Sequence, residues 1–304
     1  MSSIDSLQRN TLENCLIYTM LREAGIIDEN QIELYAPRVR DRDDIKVYRC
    51  KHSGVIFLDR TDHINLDHYI EKTLSDWSFT VGEKRLPFLE LQNAERQAAQ
   101  FGHLIEGKSW LDFGCGAGGL LQILGSRAAS AQGVEPTLWY ADPARAAGLR
   151  VVSSLGELGE QQFDLITLFH VFEHLPDPIE VAKLLRRRLK PGGTLLIEVP
   201  HARDFLLGTL DCAEFRAFSL WSEHLLLHTR DSLKKILEAA GFTVGGVQGI
   251  QRFPLSNHLY WLRHGQHGGH AKWGFIDSPD LIKAYEASLN YNDATDTIVA
   301  FAHA

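Results

Sequence analysis

Trp110-Leu111-Asp112-Phe113-Gly114-Cys115-Gly116-Ala117-Gly118-Gly119 runs from a short apolar segment straight into a cluster of glycines, the pattern of a β-strand that turns abruptly into a helix. Glycine reaches positive φ at little steric cost and lets a ligand approach the backbone with no Cβ in the way. The N–H groups that open the helix, together with its dipole, favour a negatively charged group. The spacing alone leaves the ligand open, because Gly114, Gly116 and Gly119 also satisfy the G-x-G-x-x-G pattern of dinucleotide sites. Glu135, at the end of the next apolar run, would accept the two hydroxyls of a ribose in either case. A tight turn holding no ligand is the third reading. Asp112 separates them, since a carboxylate just ahead of the first glycine attracts an ammonium and repels a diphosphate.

Around this turn, from about residue 108 to 249, short apolar runs alternate with helical spacing. Ser109–Phe113, 132–135, Phe163–Phe169, 194–199 and 242–250 read as strands, with a short one at 151–152, and 120–124, 178–189 and 231–240 read as helices. The alternation predicts an α/β fold, a mostly parallel sheet with helices on both faces. Asp231 is the expected N-cap of the last helix and Gly241 its stop. Upstream, residues 12–24 (apolar set Leu12, Leu16, Tyr18, Met20 and Leu21) and Leu86–Ile105 read as helices, and 46–58 as a hairpin around Gly54. Downstream, 252–270 reads as a His- and Gly-rich loop, 279–289 as a helix and 297–302 as a strand. Without an evident linker, both flanks are expected to pack on the middle region.

The glycine turn resembles motif I of the class I S-adenosylmethionine (SAM)-dependent methyltransferases, and two further segments fall in that family's order. Residues 163–178 resemble the fourth strand and the loop after it, and 189–197 the turn into the fifth strand. The resemblance covers residues 109–200. It implies a Rossmann-like seven-strand SAM-methyltransferase sheet with an N-terminal extension and an insertion between the last two strands, the final one antiparallel. The implied parts are a 1–107 α/β extension covering the acceptor site, a 108–250 SAM-binding core, and 251–304 as lid insertion plus final strand. SAM is the implied cofactor. Gly114, Gly116 and Gly118 would line its methionyl part, with Asp112 near the amino group, Glu135 on the ribose, Ser154 and Leu155 beside the adenine, and Phe169 as a further contact.

Methyl transfer is an in-line displacement at an activated sulfonium carbon, so the protein aligns the nucleophile, excludes water and, for a hydroxyl acceptor, takes a proton. Histidine suits that last task. His170, His174, His201 and His224 are the candidates, at or beyond predicted strand ends, where α/β sheets bind their ligands. The stretch from His170 to His174 also matches the H-x-x-E-H inverzincin pattern. That zinc site needs a helix, whereas an apolar strand precedes this stretch and Pro176 follows it. The stretch also resembles the E-x-x-E-H segment of ubiquinone-pathway O-methyltransferases, with His170 in the first acidic position. Capping a helix and shaping the cofactor wall is the other reading of Glu173 and His174.

Leu220-Trp221-Ser222-Glu223-His224-Leu225 resembles the acceptor-side segment of sugar methyltransferases from nucleotide-sugar and surface-polysaccharide pathways. C-methylating members carry a tyrosine three residues before the histidine; Trp221 stands there in this chain, which points to O-methylation with His224 as first-choice base. Residues 48–55 resemble an element that carries paired cysteines in some of those enzymes. Cys50 and His52 alone do not close a tetrahedral zinc site, so a hairpin without metal is expected. Arg252, Asn257, Tyr260 and Trp261, among His258, His264, His267 and His270, suit an acceptor lid, the arginine pairing with a phosphate and the rings stacking on a sugar or base.

Composition bounds the rest. A chain of 304 residues with 44% hydrophobic and 23% charged content builds a real core. Its formal charge of −8 argues against nucleic acid. Residues 1–10 lack the apolar run of a signal peptide, no membrane-spanning run occurs, and four scattered cysteines form no disulfide framework, so a reducing cytoplasm is expected. The expected partner is a small-molecule acceptor, a sugar or nucleotide sugar, with a homodimer left open. The alternatives are C-methylation of a nucleotide sugar, O-methylation of another small metabolite, an NAD-dependent oxidoreductase, and a non-catalytic SAM-fold partner subunit.

Overall fold

A computed structural model describes residues 11–64 and 86–304; the polar start at 1–10 lies outside them. Helix α1 (Leu16–Glu23) leads into strands β1 (Ile32–Ala36), β2 (Val47–Cys50) and β3 (Ile56–Leu58). Then come α2 (Leu86–Ile105), β4 (Ser109–Phe113), α3 (Gly119–Leu124), β5 (Ser130–Val134), α4 (Leu138–Ala146), β6 (Val151–Val152), β7 (Phe163–Phe169), α5 (Pro178–Arg187) and β8 (Leu189–Pro200). The remainder is α6 (Ala213–Ser219), β9 (Leu226–Leu227), α7 (Arg230–Ala239), β10 (Thr243–Ile250), α8 (Leu255–His264), α9 (Gly269–Lys272), α10 (Pro279–Tyr291) and β11 (Thr297–His303).

The main sheet has seven strands in the order β10-β11-β8-β7-β4-β5-β6. Neighbours from β8 to β6 are parallel, and β11 lies antiparallel between β8 and β10. The expected α/β sheet, with an insertion between its last two strands, is therefore present. The central strands read as continuous apolar runs because helices cover both faces of a parallel sheet: Phe163, Leu165, Ile166 and Leu168 of β7 are all buried. A second, antiparallel sheet has the order β1-β2-β3-β9. Its last strand comes from the core region, pairing Ile56 with Leu227 and Phe57 with Leu226. One apolar cluster runs from Tyr48 and Phe57 through Leu226 to Phe172 and Leu111, so the N-terminal segment and the core are fused by shared packing.

Three expectations need correction. Residues 11–13 are helical, but a break at Asn14 and Cys15 separates them from α1, whose first residue, Leu16, is exposed while Ile17, Tyr18 and Leu21 face inward. The N-cap of α7 is Thr229, not Asp231: the Thr229 hydroxyl accepts from the Ser232 amide and Ser232 Oγ accepts from the Thr229 amide. Asp231 sits in the first turn and pairs with Lys235 at 3.0 Å, where a carboxylate favours the helix dipole. Finally, 252–270 is largely helical. Ser256, Asn257, His258, Tyr260 and Trp261 of α8 are buried, a polar-looking inner face that apolar periodicity overlooks. His264, His267 and His270 do face solvent as expected.

Candidate active site

A cavity of about 670 Å³ opens beyond the carboxyl ends of β4, β7 and β8, where open α/β sheets bind ligands. One end is formed by the glycine turn. Phe215, Phe218, Trp221 and Trp261 line the other end, with Arg40 reaching in from the N-terminal segment and Arg252, His258 and Asp296 from around the insertion. Trp261 packs against Phe215 and Phe218 with ring centroids 5.2 and 5.1 Å apart.

At the glycine end, Asp112 is buried and its Oδ1 accepts a hydrogen bond from Thr167 Oγ1 at 2.6 Å. Thr167 in turn accepts from the Trp110 indole at 2.9 Å, so β4 and β7 hold the carboxylate in place. Burial pushes Asp112 up to about 7, and the Glu135 charge adds to that; the Thr167 hydrogen bond opposes it. A desolvated acid beside the glycine turn suits an ammonium, which favours its charged form. Gly114 has φ +75°, and a Cβ there would lie 2.3 Å from Val171 Cγ2, so the two loops touch only because residue 114 is glycine. Glu135 accepts from the Gly116 amide at 3.0 Å and the Thr137 amide at 2.8 Å.

Of the expected cofactor residues, Asp112, Gly114, Gly116 and Phe169 line the cavity, whereas Gly118, Glu135, Ser154 and Leu155 do not. Gly118 instead packs under Leu149, whose Cδ1 would meet a Cβ at 2.5 Å. Ser154 is exposed and bonds Glu157. Asn93, Gln97 and Tyr140 line the cavity as well; no motif marked them, because two come from α2 ahead of the glycine turn.

The four candidate histidines differ sharply. His170, with φ +56°, stands between two buried carboxylates, 3.5 Å from Glu173 Oε1 and 3.1 Å from Glu198 Oε1, with Arg252 Nη1 3.0 Å from its Nε2. Burial and Arg252 oppose its charge, but the two carboxylates outweigh them and raise its pKa. His201 lines the cavity, its Nδ1 3.0 Å from the Thr295 carbonyl, and burial pushes it down to about 4. His224 also lines the cavity, against His174 and Trp221, and burial, then the neighbouring His174, push it down to about 3. His174 lies behind it, outside the cavity wall.

The structure adds two arrangements that local motifs do not contain. Glu173, His174 and His224 bring one donor atom each within 4.8 Å of one another, the spacing of a compact divalent-cation site; chain order hides it because His224 arrives from a distant loop. Asp204, four residues past the end of β8, is a buried carboxylate in the cavity wall. An acid just beyond a strand end and ahead of a helical turn was the available signal.

A profile described as a methyltransferase domain matches residues 86–245. The ubiquinone biosynthesis O-methyltransferase of Pseudomonas paraeruginosa (strain DSM 24068 / PA7) is 31% identical over 177 residues, 51% of this chain and 72% of that one. Its counterpart from Aeromonas salmonicida (strain A449) is 28% identical over 171 residues, 50% of this chain and 70% of that one. Among solved structures, a SAM-dependent methyltransferase from Thermotoga maritima, described as a possible histamine N-methyltransferase, overlaps with a TM-score of 0.49 at 18% identity, covering 79% of this chain and 99% of its own. With its seven-strand sheet and the acid and glycines at the sheet's carboxyl edge, the chain belongs to the methyltransferase-domain family and is a class I SAM-dependent methyltransferase, similar in sequence to O-methyltransferases.

Proposed function

We propose that the chain O-methylates a hydroxyl on a small ring-shaped acceptor held between the glycine turn and the aromatic end of the cavity. The observation that carries this reading is the continuity of one cavity from Asp112 and Gly114 to Phe215, Phe218, Trp221 and Trp261. SAM, when bound, supplies an electrophilic methyl group. Of the residues present, Asp112 would hold its ammonium, the amides of the glycine turn its carboxylate, and Glu135 its ribose hydroxyls. The N-terminal segment and the insertion act as the cover that keeps water away.

The aromatic wall suits a ring laid flat on it. Such a wall can stack on an aromatic ring or on the apolar face of a sugar, and Arg40, Asp204 and Arg252 border the same cavity. The relatives' place in ubiquinone biosynthesis favours the aromatic ring. His201 and His224 border the cavity, while His170, set between Glu173 and Glu198, orients the loop. Calorimetry with SAM and NADH, followed by transfer of labelled methyl from SAM to a panel of catechols and nucleotide sugars, tests the reading. SAM binding with label in a catechol ether is expected. Binding of NADH instead, or label appearing only in nucleotide sugars, would overturn it.

A further inference from the structure

A hydroxyl acceptor must lose its proton as its oxygen becomes methylated, and the histidines are poorly placed to take it. His170 is held by Glu173, Glu198 and Arg252, His174 lies outside the wall, His201 has its Nδ1 on the Thr295 carbonyl and its Nε2 3.5 Å from Asp293, and His224 packs against His174 and Trp221. Asp204 has none of these handicaps. It is 4% exposed and lines the cavity. Its Oδ1 accepts from the Leu206 and Leu207 amides at 2.7 and 3.4 Å, fixing the side chain, while Oδ2 receives no hydrogen bond from the described residues. The charged and titratable groups around it come from separate elements: Arg252 after β10, Asp296 before β11, Tyr285 on α10, and His258 on α8, which bonds the Tyr285 hydroxyl at 2.6 Å. Arg252 is engaged by Asp296 at 3.2 Å, so it does not neutralise Asp204 outright.

Resting on the O-methylation reading, we propose that Asp204 contacts the acceptor hydroxyl and is the proton acceptor of the reaction. The acceptor O–H proton passes to Oδ2 as the oxygen lone pair forms the new O–CH₃ bond and the C–S bond breaks, its electrons remaining on sulfur. The protonated Asp204 then returns the proton to solvent. Burial, then the charge of Asp296, push Asp204 up to about 7, where a carboxylate takes a proton near neutral pH yet is still half ionised.

The test needs no knowledge of the natural acceptor. The full-length protein is saturated with S-adenosylhomocysteine, and binding of 4-fluorophenol is followed by ¹⁹F NMR between pH 6 and 8, with 4-fluoroanisole as the probe lacking the proton. The phenol should bind about tenfold more tightly at pH 8 than at pH 6, as expected for one ionisation near 7, and the anisole should show no such trend. Asp204→Asn and Asp204→Ser both keep an oxygen for the Leu206 amide, so the fold persists, and both should abolish the pH trend. The trend surviving in both variants, a flat wild-type profile, or no phenol binding overturns the assignment. If S-adenosylhomocysteine itself fails to bind, the methyltransferase site reading falls instead.

Discussion

As the proposed ammonium site, Asp112 should couple cofactor binding to pH. In the free protein burial holds it at about 7, and a bound ammonium stabilises the ionised form and lowers that value. Binding therefore releases a proton whenever Asp112 starts protonated. SAM affinity should be level above about pH 7 and fall about tenfold per unit below it. Calorimetry in buffers of differing ionisation heat reads both the affinity and the proton. Asp112→Asn should bind SAM about 10- to 100-fold more weakly and lose the dependence, consistent with the loss of a buried charge-assisted hydrogen bond worth about 1.5–3 kcal/mol. A second residue-scale prediction concerns packing. Gly114→Ala brings a Cβ to 2.3 Å from Val171 Cγ2 at a φ of +75°. The clash and the left-handed backbone together should cost about 2–4 kcal/mol. Adding Val171→Ala removes the clash but not the backbone strain, so the melting temperature should recover only in part.

At the scale of elements, the passage from β9 into α7 joins the two sheets to the cofactor wall. Leu226 and Leu227 complete the N-terminal sheet, His228 stacks on Phe172 at 5.6 Å, and Thr229 starts the helix through its reciprocal bonds with Ser232. The Thr229 side chain is buried, so water cannot replace it as the cap. Thr229→Ala should lower unfolding free energy by about 1–2 kcal/mol, read as a lower urea midpoint with an unchanged slope, and Thr229→Ser should restore most of it. This element also explains a misreading of the sequence. Asp231 looked like the cap because acids are good caps, but Thr229 has the extended backbone a cap requires, with φ −100° and ψ 167°. That geometry comes from the strand just before it, and a local residue preference does not contain it.

For the whole molecule, what the chain disclosed and what it concealed follow from the range of the interactions. The glycine turn and most of the core strands were legible, because each rests on a local run such as Phe163–Phe169 or on spacing within one turn, whereas the antiparallel last strand followed only from the family resemblance. The aromatic end of the cavity was not, because Phe215, Trp261 and Arg40 meet from three distant segments. Glu173, His174 and His224 were each visible, but their convergence was not. Arg40 illustrates the long-range kind of contact. Its Nη1 donates to the Phe218 carbonyl at 2.8 Å, its amide donates to the Leu220 carbonyl at 2.9 Å, and its guanidinium stacks 4.8 Å from the Trp221 ring centre. It thus fastens the N-terminal segment to the aromatic end of the cavity. Arg40→Ala keeps the amide bond but loses the side-chain hydrogen bond and the cation–π contact, each worth about 1 kcal/mol. The melting temperature should fall by about 2–6 °C, and Kd for S-adenosylhomocysteine should stay within about twofold, since no glycine-end group moves. The 4-fluorophenol probe should weaken about 3- to 30-fold, as expected from 1–2 kcal/mol of lost wall rigidity. Equal weakening of both ligands would mean that Arg40 supports the entire cavity and not its acceptor end alone.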